Sequence, residues 1–159
     1  MKQKELSFML KCVVIGVALC LLLVCALMIP VKAESFVQDG LMDKGFRIPW
    51  MISVWIAAVP CVLILIQCWG VTVDIGRDRS FSRDNAARLK RIAYLALGIV
   101  AYFFPCNLVL FLLSLVPDRV LAWAGLFCCA GLAFAVCAAA LSHLVIKAAE
   151  LQEENELTV

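Results

Sequence analysis

The chain has 159 residues, of which 65% are hydrophobic and only 16% charged, against about 45–50% and about 25% in an ordinary soluble domain. The apolar residues fall in long runs that a soluble core does not need, and a formal net charge of +2 is too small to point to direct contact with nucleic acid. Length allows one domain with little outside the membrane.

Four runs are long enough to cross about 30 Å of hydrocarbon, which takes about 20 mostly apolar residues. The first is residues 8–29, with Lys11 near its start. Its apolar stretch exceeds the usual h-region of a signal peptide, so it reads as a retained span. Residues 30–49 form an outer loop with Gly40, Gly45 and two prolines, long enough for a short helix only. The second span is 50–71, followed by a polar loop, 72–91. The third span is 92–116. A tight turn at 117–119 makes the third span and the fourth, 120–146, an antiparallel hairpin. A polar tail, 147–159, closes the chain. The expected fold class is all-α: a membrane bundle of four transmembrane helices, because only helices satisfy their own backbone in hydrocarbon.

Lys and Arg in short loops set orientation. Ten of the 14 lie in the N-terminal tip, the 72–91 loop and the tail, and four in the two other connections. Both termini are therefore expected in the cytoplasm, in a multi-pass protein of the cell (cytoplasmic) membrane.

The 72–91 loop carries helix-start chemistry. Ser82 suits an N-cap, Asp84 favours the positive end of a helix, and Phe81 is placed to staple the first turn. The tail is expected to continue the fourth helix for one or two turns. Its acids, Glu150, Glu153, Glu154 and Glu156, face the same compartment as the loop's six basic residues. Docking of tail on loop is the expectation, with Leu151, Leu157 and Val159 as apolar anchorage, and a frayed, solvated tail is the alternative. Arg88 is the best candidate for a bidentate pair with a tail glutamate. Asn85 and Asn155 can satisfy free helix-end groups. The expected interaction surface is Ser82, Asn85, Arg88, Arg91, Glu153, Glu154, Asn155 and Thr158.

The segment Arg77-Asp-Arg-Ser-Phe-Ser-Arg-Asp-Asn-Ala-Ala-Arg-Leu-Lys-Arg-Ile92, with its Phe-Ser-x-x-Asn core, and the ending Leu151-Gln-Glu-Glu-Asn-Glu-Leu-Thr-Val159 resemble a bacterial family, domain of unknown function 2975. The resemblance covers nearly the whole chain. It implies a small multi-pass membrane protein, of a kind often encoded beside a small helix-turn-helix regulator of the Cro/C1 type, and hence a membrane-bound partner of such a regulator. Lys147-Ala148-Ala149 lack the glycine expected there, which favours a continuous helix into the tail.

Within the spans the polar residues are Gln67, Asn107, Ser114, Ser142 and His143, with Ser53 nearer the outer face. Asn107 reads as a helix–helix hydrogen bond near the bilayer centre, with ligand or ion contact as the alternative. His143 reads as a hydrogen-bonding residue at a helix end. Gly131, Ala135, Ala139 and His143 form one four-residue stripe, and Cys12, Gly16 and Cys20 another. Packing within the chain is the first expectation for both, a homodimer the second. Pro60 and Pro105 are expected to kink their helices. The nine cysteines lie in apolar runs without CxxC spacing and read as small packing residues; for the adjacent Cys128 and Cys129 a redox or acylation role stays open.

No nucleophile–base pair, glycine-rich phosphate loop or metal-ligand cluster is present in the sequence, so no catalytic, cofactor-binding or metal site is expected. The basic loop faces the lipid bilayer and its anionic headgroups. The leading expectation is a non-enzymatic membrane sensor or regulatory partner. The alternatives are a small transporter or resistance protein with a site between kinked helices, and a purely structural membrane protein.

Overall fold

The computed structural model describes residues 3–77 and 79–157, without the side chains of residues 3, 156 and 157. Thr158 and Val159, and the side chains of Glu156 and Leu157, invoked above for the tail, lie outside what is described. Among the described residues all regular structure is helical: α1 (Gln3–Leu23), α2 (Ile29–Gln38), α3 (Arg47–Gly76), α4 (Arg83–Leu112) and α5 (Asp118–Leu157). Four helical runs are long and apolar enough to cross a membrane. The protein is an all-α membrane protein with four candidate spans.

The first run continues past residue 29, because α1 passes into α2 through a π-helical turn, Val24–Met28. Pro30 explains the slip. The Ile29 amide bonds to the Val24 carbonyl, so the Cys25 carbonyl loses its usual α-helical donor. The donor one residue further on would be Pro30, which has no N–H. The Trp55 indole fills the gap, donating to the Cys25 carbonyl at 3.1 Å. In hydrocarbon such a carbonyl needs a partner, since water is not there to supply one.

The principal contacts run α1 with α3, α3 with α4 and α4 with α5. The α4–α5 seam is the closest. A Cβ on Gly131 would meet a Val100 methyl at 3.0 Å. Ala135, Ala138, Ser142 and Ala149 are buried along α5, opposite Ala86, Ala93, Ala96 and Ile99 of α4. The Ser142 hydroxyl donates to the Ala86 carbonyl at 2.7 Å. The seam therefore leaves the expected stripe: Ala139 and His143 are exposed. A strict four-residue repeat gains about 40° per step on a helix of 3.6 residues per turn, so by Ala139 it has turned off the face that Gly131 begins. The stripe of Cys12, Gly16 and Cys20 on α1 is exposed too, and nothing lies within 4 Å of a Cβ built on Gly16; it does not pack within the chain.

Away from the termini, α2 folds over the helix ends. Ala33, Met42, Trp50, Val116 and Val120 form an apolar cluster. Phe36 meets Trp50 edge-on at 6.0 Å, and Arg47 pairs with Glu34. The second connection on this side is longer than the expected three residues, since α4 stops at Leu112. Ser114 has a φ of 57°, its amide bonds to the Phe111 carbonyl, and the Leu115 amide to the Leu110 carbonyl. This is the Schellman pattern of helix ending, with serine at the left-handed position that glycine usually takes. Ser114 thus lies in a turn, not within a span.

A left-handed residue with a side chain costs about 1–2 kcal/mol. Ser114→Gly is expected to raise the thermal midpoint of the detergent-solubilised protein by about 2–4 °C, the usual effect of about 1 kcal/mol at this size.

Candidate functional site

The helix ends that carry the two termini meet on one face, tied helix by helix. The Ser7 hydroxyl of α1 donates to the Thr72 carbonyl of α3 at 2.6 Å, and it fits because Gly76 has no side chain: a Cβ there would lie 2.7 Å from the Ser7 oxygen. The Lys11 ammonium lies over the Trp69 ring, 5.9 Å from its centre. From α4, Arg88 crosses to α3. Its guanidinium occupies the space beside Gly70, where a Cβ would stand 1.7 Å from Nη1, and its Nε is 3.7 Å from an Asp74 carboxylate oxygen.

The loop entering α4 is organised from within. The Ser82 hydroxyl accepts from the Asn85 amide at 3.2 Å, the expected cap. The Asn85 side chain donates to the carbonyls of Arg79 at 3.0 Å and Ser80 at 3.3 Å. Asn85 is 1% exposed, so it holds the loop from beneath the face rather than contributing to its surface. Its Oδ1 is buried and has no hydrogen-bond partner among the described residues. Phe81, the expected staple, is 60% exposed. With residues 72–76 in α3 and 83–91 in α4, most of the expected loop is helix.

The tail continues α5 without a break as far as Leu157. It passes the start of α4, where Glu153 meets Arg83 in a bidentate pair of 3.1 and 2.7 Å. The partner is not Arg88. That residue lies five positions further into α4, about 7 Å along the axis, and is engaged by α3. Arg91, Glu154 and Asn155 are exposed. The hydrogen bonds to Arg83 hold the Glu153 carboxyl below the ordinary glutamate range, and in return raise the Arg83 guanidinium. Both side chains are more than half exposed, so solvent screens the pair.

Within the spans the expected polar residues are not brought together. Asn107 is 2% exposed, but it donates to the Phe103 carbonyl of its own helix at 2.8 Å, five residues from the end of α4. His143 is exposed, and its side chain has no hydrogen bond among the described residues. One polar link, between α3 and α4, is one that sequence reading missed. Ser53 of α3 meets the Cys106 sulfur at 3.2 Å, and the Tyr102 hydroxyl donates to the Ser53 oxygen at 3.4 Å. The available signal was the four-residue spacing of Tyr102 and Cys106, which puts both on one face of α4. The cluster amounts to a hydrogen-bonded tie. Among the described residues no group of three His, Cys, Asp or Glu could hold a metal ion.

Residues 9–159 match a family described as "Protein of unknown function (DUF2975)". The "Uncharacterized membrane protein YoaS" of Bacillus subtilis (strain 168) is similar, at 24% identity over 156 residues, covering 96% of this chain and 97% of that protein. No solved structure matches.

The Arg83–Glu153 geometry fixes a pH dependence. A carboxyl depressed in the folded state contributes above its unfolded pKa and loses that contribution as pH falls through the folded one. Helix order at the end of α5, followed by amide exchange, is expected to hold at neutral pH and to decline below the ordinary glutamate range. Glu153→Gln should remove the dependence.

Proposed function

Because this chain belongs to the DUF2975 family of membrane proteins, we propose that it acts as a non-enzymatic membrane sensor or regulatory partner that holds a small soluble regulator against its terminal face. The observation that carries this reading is the Arg83–Glu153 pair. Together with the Ser142–Ala86 bond, it turns two separate stretches of polar sequence into one presented surface. Exposed charge of both signs meets there, with Arg83 against Glu153 and near Glu150, and with Arg79 and Glu154 also exposed. Such a mixed surface suits a protein partner better than it suits a polyanion, whose binding scales with unopposed basic residues. The ten-to-four excess of Lys and Arg supports a cytoplasmic position for this face, in a cell membrane. There the partner would be a small helix-turn-helix regulator of the Cro/C1 type, the kind the sequence resemblance implies.

Two experiments test the reading. Reporter fusions at Asp39 and at the C-terminus are expected to report opposite sides of the membrane, the C-terminal one cytoplasmic. The solubilised protein is expected to capture a small helix-turn-helix regulator of the Cro/C1 type and to lose at least tenfold in capture when truncated after Glu150. Equal capture by the truncated and full-length proteins, or no capture by either, contradicts the proposal.

A further inference from the structure

We propose that the groove between α3 and α4, on the half of the membrane nearest the termini, is a binding site for one anionic phospholipid. The groove has a volume of about 510 Å³. Its mouth is polar: Arg91 and Tyr94 from α4, Gln67 from α3. Its depth is apolar, following Leu63 and Leu95 to an inner end at Pro60 and Gly98. Seven residues separate Arg91 from Gly98, about 10 Å along the helix, the reach of the upper part of an acyl chain. Gly98 leaves that end open, with nothing within 4 Å of a Cβ built there.

Two unsatisfied groups at the mouth point to what fills it. Gln67 lies in the apolar part of α3, and its side chain has no hydrogen-bond partner among the described residues. An amide taken out of water needs a partner, and a glycerol-ester carbonyl would accept from it. Arg91 has no ion pair among the described residues, whereas Arg88, one turn away, is engaged by Asp74. Lys90 adds a second cation, held over the Tyr94 ring at 6.0 Å. No carboxylate lines the groove. A phosphate at Arg91 and Lys90 meets this charge, and an anionic headgroup keeps the charge that a zwitterionic one cancels. The walls below Arg91 open sideways, with Tyr94 64% and Leu63 44% exposed, toward the hydrocarbon in which lipid chains lie. Arg91 and Lys90 reach the headgroup level as long basic side chains do, with their stems in the apolar layer.

Native mass spectrometry of the full-length protein in detergent tests the site, with dioleoyl phosphatidylglycerol competing against dioleoyl phosphatidylcholine. Retention of the anionic lipid is expected to exceed that of the zwitterionic one about thirtyfold, the factor for about 1 kcal/mol from each of Arg91 and Lys90 near a membrane surface. Arg91→Ala is expected to lower that preference to about fivefold. Gly98→Leu is expected to reduce anionic-lipid retention with the charge unchanged, and Gln67→Leu gives a second reading on the mouth if either variant is not monodisperse. Arg79→Ala removes the same charge outside the groove and should leave retention at the unmodified level. Inorganic phosphate and glycerol phosphate at millimolar concentration should not displace the lipid. The proposal is overturned if the unmodified protein shows no preference or if Arg79→Ala matches Arg91→Ala, which would mean diffuse surface attraction. It is equally overturned if free phosphate displaces the lipid while Gly98→Leu has no effect, which would mean an anion site without a lipid.

Discussion

Two leucine-rich helices gain little by meeting inside a bilayer, because the lipid is as apolar as either of them. What brings spans together is close approach at small residues and the few hydrogen bonds this allows. The α4–α5 seam has both: Gly131 against Val100, a line of buried alanines, and the Ser142 hydroxyl on the Ala86 carbonyl. In turn α3 packs on α4, and α1 on α3. The same medium dictates the details at the helix ends. The carbonyl left over at the Pro30 slip is met by Trp55, and α4 closes on itself through the left-handed Ser114.

Helical geometry then distributes the basic residues at the start of α4. Successive residues turn about 100°, so Arg83 and Ala86 share the side that faces α5. Arg88 comes round to α3 and settles on Gly70. Arg91 falls between the two directions and stays exposed. One short stretch thus supplies a tie to the tail, a tie to the neighbouring span and a free cation at the membrane surface. The opposite face contrasts with it, since α2 and the following loop cover the helix ends there with an apolar cluster.

Much of this was legible in the sequence. Apolar runs of about 20 residues locate the four spans, and Ser82 announces the start of α4 three residues before Asn85. The acidic tail beside a basic loop foretold a pairing between the two. The choice of Arg83 over Arg88 was not legible, because it depends on how far α5 slides along α4 and on a glycine in a third helix. The α5 stripe was misread at Ala139 and His143 because a four-residue repeat drifts off its face within two steps. Ser114 was placed in a span because apolar residues flank it, while its left-handed turn leaves no mark in hydropathy. Asn85 read as a surface residue from its polarity, although its two donor bonds to Arg79 and Ser80 require burial.

The central claim is that the start of α4 and the end of α5 form one ordered surface. Hydrogen–deuterium exchange of the full-length protein in lipid nanodiscs tests it most directly. The account predicts that amides of residues 83–87 and 150–157 are protected at neutral pH, and that Glu153→Ala speeds exchange in the second segment, with a smaller rise in the first. Exchange of residues 150–157 at the rate of a free peptide, with the 83–87 segment indifferent to Glu153→Ala, would contradict it.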